Sequence, residues 1–134
     1  MSDPSDPRSW VEYAEQDYLL TRSILRRKKP FTGAACFHAQ QSAGKYLKAI
    51  LVAKKIYFPK SHDLILLSEL CEEAGVLVPV EARLLHVLTD NAVLIRYPGV
   101  IPTLEDAHQA LEIAIALRRF ARQWLGLPPA RVVR

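Results

Sequence analysis

Nowhere in this 134-residue chain do eighteen apolar residues follow one another, so the sequence predicts no membrane-spanning helix. The opening stretch, MSDPSDPRSW, has neither an apolar core nor a small-residue cleavage pattern, which argues against a signal peptide. Cysteine is scarce: Cys36 and Cys71 are the only two. Their separation fits no metal-ligand pattern, and both fall in apolar helical stretches, so they read as buried thiols in a reducing cytoplasm. There is no Gly-rich phosphate loop, no zinc spacing and no paired-carboxylate pattern. No metal, no cofactor and no stand-alone enzyme motif is therefore expected. Alternating apolar and polar residues never persist beyond a few positions, and no segment repeats, which removes sheet and solenoid architectures.

What is present is helical. Half the residues are apolar and about a quarter are charged, which suits a folded domain of one unit. Asp6 followed by Pro7 reads as a cap with proline in the first helical position. The helix that follows should end near RRKKP. A second helix is expected from about Phe31 to Lys55, with a broad apolar side through Cys36, Ala43, Leu47, Ile50 and Leu51. A third should run from Leu64 to about Glu73, opened by Ser61 or His62 and closed by Gly75. The fourth begins after Pro79 and stops before Pro98. Thr103 and Asp106 resemble a capping box ahead of the fifth. The expected fold is an all-α, up-and-down antiparallel bundle of four to five helices. Residues 1–8 are expected to be a flexible N-terminus, 9–125 the domain and 126–134 a mobile tail.

The net charge of +4 is mildly basic and permits an anionic partner without requiring one. Within the second helix, His38, Gln41, Lys45 and Lys48 fall within about 80° of arc at helical spacing. Two ammoniums and an amide on one edge could hold a phosphate or a carboxylate. The same pattern also describes a plain solvated edge. Asp17 lies among apolar neighbours on the first helix and needs a cation if buried; Lys45, Lys48 and Arg96 are the candidates. In SHDL, Ser61 can cap the third helix and Asp63 suits its positive end, while His62 lies beside them. In IRYPG, Arg96 and Tyr97 precede a proline that fixes the chain direction, where an arginine either clamps an anion or caps a helix end. His86 and His108 carry no assigned role.

Four of these stretches, in this order, resemble the HEPN domain family, named for higher eukaryotes, prokaryotes and nucleotide binding. AEQDYLL is similar to its Ala-x-x-Asp-Leu pattern. CFHAQQSAGKYLKAIL is similar to its Phe-x-x-Gln-Gln-x-x-Glu-Lys-x-Leu-Lys-Ala-x-Leu core. SHDLILL resembles its Thr-His-Asp-Leu segment, and RYPG its Arg-Tyr-Pro turn. The resemblance spans about residues 9 to 125. It implies a helical bundle, usually a homodimer, often paired with a small nucleotidyltransferase and in some cases forming a toxin–antitoxin couple. Carried over by position, its pattern residues are Asp17, Gln40, Gln41, Lys45, Lys48, His62, Asp63, Arg96 and Tyr97. Two departures stand out. Nucleolytic members carry an Arg followed four to six residues later by a His, whereas here Arg83 to His86 is too short and Arg96 to His108 too long. Gly44 stands where the family usually has Glu, which should make the neighbouring edge more attractive to anions.

These readings lead to the expectation of a non-catalytic module that binds a nucleotide or nucleic-acid phosphate and partners a small nucleotidyltransferase. Its ligand-binding residues would be Gln41, Lys45, Lys48, Arg96, Tyr97 and His62, with Asp17 and Asp63 as structural or charge partners. Two alternatives stay open: a metal-independent ribonuclease toxin, and a structural dimerisation partner without a ligand. The fourth helix carries Leu84, Leu85, Leu88 and Leu94 around its circumference, which suggests a second buried face and a homodimer.

Overall fold

The computed structural model describes residues 3–94 and 98–129. Among them it places five α-helices and no strand: α1 (Pro7–Leu25), α2 (Thr32–Ala53), α3 (Leu64–Glu73), α4 (Ala82–Leu94) and α5 (Leu104–Trp124). The fold is all-α, as the patterning predicts. None of these helices is long and apolar enough to cross a membrane.

Local chemistry sets the helix starts. Asp6 accepts the backbone N–H of Arg8 at 2.9 Å, and Pro7 occupies the first turn. Thr103 and Asp106 make both halves of the expected capping box, at 3.0 and 2.9 Å. At α3 the cap is Asp63, which accepts from the backbone N–H of Ile65 at 3.0 Å. Ser61 instead accepts the backbone N–H of Asp63 at 3.0 Å. The hydroxyl therefore shapes the approach, and the carboxylate satisfies the helix end. Three helices stop in the same way, with a left-handed residue followed by a backward hydrogen bond. The left-handed residues are Lys55 after α2, Gly75 after α3 and Gly126 after α5. The next N–H then reaches Leu51, Cys71 and Arg122 carbonyls respectively, at 2.8 to 2.9 Å.

Helix α2 is the hub and touches all four others. Its Tyr46, Leu47, Ile50 and Leu51 are fully buried, against Leu64, Leu67, Leu85, Leu88 and Leu117. Small residues bring α1 close: Ser42 donates to the backbone carbonyl of Ala14 at 3.0 Å. Pairs between α1 and α2 descend as they ascend (Asp17 with His38, Ala14 with Ser42), so these helices run antiparallel. Helix α5 runs in the direction of α2, because Thr32 at the start of α2 donates to the carbonyl of Pro102, just before α5, at 2.6 Å.

The ten-residue link 54–63 between α2 and α3 shapes the surface that matters below. It carries the chain back along α2, since Phe58 packs on Trp10 near the start of α1 while the His62 carbonyl meets Gln40. Ten extended residues reach roughly 33 Å, more than the roughly 20 Å of helix to be retraced. At the N-terminus, the indole N–H of Trp10 donates to the Pro4 carbonyl at 2.9 Å, so part of the segment expected to be flexible folds against α1. The first residues of the expected mobile tail also turn back, with Arg122 donating from Nε to the Pro128 carbonyl at 3.0 Å.

Candidate anion-binding edge on the second helix

Between Ala35 and Leu51 every residue of α2 is buried except Phe37, His38, Gln41, Lys45 and Lys48. The four polar members are the stripe read from the sequence. In the fold they are half-buried, with α1 beside His38 and Lys45 and the returning link beside Gln41 and Lys48.

The α1 wall supplies Asp17, which is only 8% exposed. One carboxylate oxygen meets Lys45 Nζ at 2.6 Å and the other meets His38 Nδ1 at 3.0 Å. Of the three cations expected to serve Asp17, Lys45 is the one that does so. His38 is a second partner that helical spacing alone did not assign. The Tyr13 ring also faces Lys45, with Nζ 5.9 Å from its centroid.

Lys48 is placed differently. Its ammonium lies 5.6 Å from the Trp10 ring centre and 5.8 Å from that of Phe58, a cation–π setting. It makes no ion pair with a carboxylate among the described residues. Burial, and after it the charge of Lys45, lowers its pKa from the usual lysine value.

Nearer the start of α2, Gln40 donates through Nε2 to the His62 carbonyl. Gln41 Nε2 donates to Gln40 Oε1 at 2.9 Å and lies 3.1 Å from His62 Nδ1. These side chains line a cleft of about 310 Å³ together with Phe37, Thr89 and Val93. The structure thus brings Gln41 and His62 to one cleft, while Lys45 and Lys48 lie further along the same edge of α2 and do not line it. Asp63 is engaged as the α3 cap, and Arg96 and Tyr97 lie outside the described residues.

Gly44 does not belong to this edge. A β-carbon there would meet Leu64 Cδ2 at 3.5 Å and Leu67 Cδ1 at 3.7 Å, so the position faces α3. The expected gain in the edge's attraction for anions does not follow, because a side chain at 44 starts out toward leucines.

Two further groups are settled by burial. Cys36 and Cys71 are free and buried; burial, then Asp106, pushes the first thiol up to about 11, and burial, then Glu72, pushes the second to about 12. Among the described residues, no three metal-binding side chains converge.

The sequence reading missed Glu15. Its Oε1 accepts from Tyr46 O–H at 2.8 Å and from Arg118 Nε at 2.8 Å, tying α1, α2 and α5 together. Burial alone would raise its pKa, but the hydrogen bonds and charges of its partners, Arg118 foremost, outweigh that and hold it below the usual value. The available signal was weak: an acid one turn after the apolar Val11 on α1, with its Arg partner 103 residues away on α5.

A family model described as HEPN domain matches residues 7–124. No curated protein shows significant similarity to the chain. Among solved structures, TT1696 from Thermus thermophilus is similar with a TM-score of 0.71 and 24% identity, over 87% of this chain and 96% of that one. ST0689, described as an archaeal HEPN homologue, is similar with a TM-score of 0.64 and 23% identity, over 90% of this chain and 98% of that one.

Proposed function

The chain belongs to the HEPN domain family, whose members are generally concerned with nucleotides and RNA, and from that premise we propose a non-catalytic phosphate-binding module. It binds a nucleotide or nucleic-acid phosphate along the α2 edge, as a homodimer working beside a small nucleotidyltransferase.

One observation supports the reading above the others. Two ammoniums, Lys45 and Lys48, share one half-buried edge, and Asp17 neutralises only the first. Burial and the charge of Lys45 both disfavour the ammonium form of Lys48. A phosphate at this edge would relieve both penalties. Cleavage is set aside because the chain has no Arg followed four to six residues later by His. Arg83 and His86 are exposed and pair with Glu81 and Asp90 at 3.5 and 3.2 Å.

The bond between Asp17 and Lys45 favours a second reading, in which the polar edge only fastens α1 to α2. Calorimetric titration of the protein with ATP separates the two. Lys48→Gln should weaken binding at this edge about tenfold, the loss of one charge-assisted contact, with the fold unaffected. Unchanged affinity in that variant would remove the edge from the site, and no binding of any nucleotide or RNA would favour the fastening role.

A further inference from the structure

A second cleft lies away from the α2 edge, between α1, α5 and the turn that follows α5. It encloses about 670 Å³, within the range of small-molecule sites. Four guanidiniums line it: Arg22 from α1 and Arg118, Arg119 and Arg122 from α5. On α5 they recur at helical spacing, so one face of that helix delivers three of them.

Their charges are far from balanced. Arg118 and Arg122 share a single oxygen of Glu15, at 2.8 and 3.5 Å. Arg22 is hydrogen-bonded to a neutral group, the Tyr18 hydroxyl, at 2.9 Å. Arg119 is exposed and pairs with no carboxylate among the described residues. Glu112, one turn before Ile115 on α5, is exposed and does not line the cleft. Four positive groups facing one carboxylate leave a concave surface with an excess of three charges, and concavity focuses that field. Guanidiniums are also the side chains best matched to phosphate oxygens.

The remaining wall is apolar. Ile115, Leu127 and Pro129 complete the lining. The Tyr18 ring lies under the Arg118 guanidinium, 4.3 Å from its centroid. That stacking, with the Glu15 bond, fixes Arg118 before any ligand arrives. A flat array of surface lysines would suit a long polyanion. A cleft with guanidiniums and an apolar wall suits a compact ligand with both parts.

We propose that this cleft is a second anion site, for a small phosphorylated molecule of nucleotide size. Its phosphoryl groups meet Arg22, Arg119 and the outward nitrogens of Arg118 and Arg122. Its apolar or aromatic body lies against Leu127, Pro129 and Ile115. The site is independent of the α2 edge and shares no residue with it.

The arginine side-chain resonances of the full-length protein report on it directly. ATP should shift the Nε–H signals of Arg118 and Arg122 in a saturable way, and adenosine should not. The double variant Arg22→Gln, Arg119→Gln leaves the Glu15 contacts intact and should lower that affinity by about tenfold or more. Lys48→Gln should leave it unchanged. The inference is overturned if ATP leaves these signals still, if adenosine binds as tightly, or if only a single-stranded oligonucleotide shifts them. It is equally overturned if Lys48→Gln abolishes the response while the arginine pair does not, an outcome that leaves the α2 edge standing.

Discussion

Gly44 shows how a single position can be read correctly as unusual and wrongly as to why. The family pattern makes it a missing acid, and its neighbour Lys45 suggests a change in charge. Rotation along the helix places it toward Leu64 and Leu67 instead. A β-carbon there would sit at ordinary van der Waals distance, so Gly44→Ala should raise stability by about 1 kcal/mol through helix propensity, measured by urea denaturation. Asp17 was more legible. A carboxylate among apolar neighbours demands a cation, and Lys45 was in the right register. His38 was not assigned because a helical wheel gives directions on one helix and not the rotation of the next. Lys48 was legible as part of an edge, but its aromatic seat depends on Phe58 returning over α1, a long-range event.

At the scale of elements, caps were the most readable features, because every atom involved lies within a few residues. The α3 bounds, the Asp6 cap and the Thr103–Asp106 box agree with the sequence reading. The α3 cap was read at Ser61, with Asp63 as a charge for the positive end; the turn into α3 instead puts Asp63 at the cap. Helix α2 ends less comfortably than α3 or α5. Lys55 holds φ at 58° where the other two use glycine, and an L side chain in that region is strained by about 1 kcal/mol. Lys55→Gly should therefore stabilise the protein by about 1 kcal/mol, seen as a higher Tm by calorimetry. The same change at the exposed Lys54, which is right-handed, should not stabilise it.

Over the whole molecule, the contacts that the sequence could not disclose are those that span it. Glu15 meets Tyr46 and Arg118 across 31 and 103 residues. The three arginines of α5 drew no reading from the sequence, because their cleft exists only with α1 packed beside them. The Glu15 node also sets an acid sensitivity. Its folded pKa lies below the ordinary 4.5, so its contribution is fully present above that pH and disappears as pH falls through the depressed value. Asp3 and Asp6 shift in the same direction through local hydrogen bonds to Ser5 and Arg8 at the surface. Glu15→Gln should cost about 2 kcal/mol at neutral pH, the scale of a hydrogen bond to a charged group. Stability curves of the variant and the original chain should converge as pH drops below 4.5.

The distance between Glu15 and Arg118 along the chain bears on the order of synthesis. Chains fold from the N-terminus as they are made, and α1 with α2 can pair while the rest is still being added. At that stage Glu15 has the Tyr46 hydroxyl but no cation, and the side of α2 that will face α5 is bare. The docking of α5 neutralises the carboxylate and covers the core in one event. The arginine cleft comes into being only then, so any ligand of that cleft meets a folded bundle.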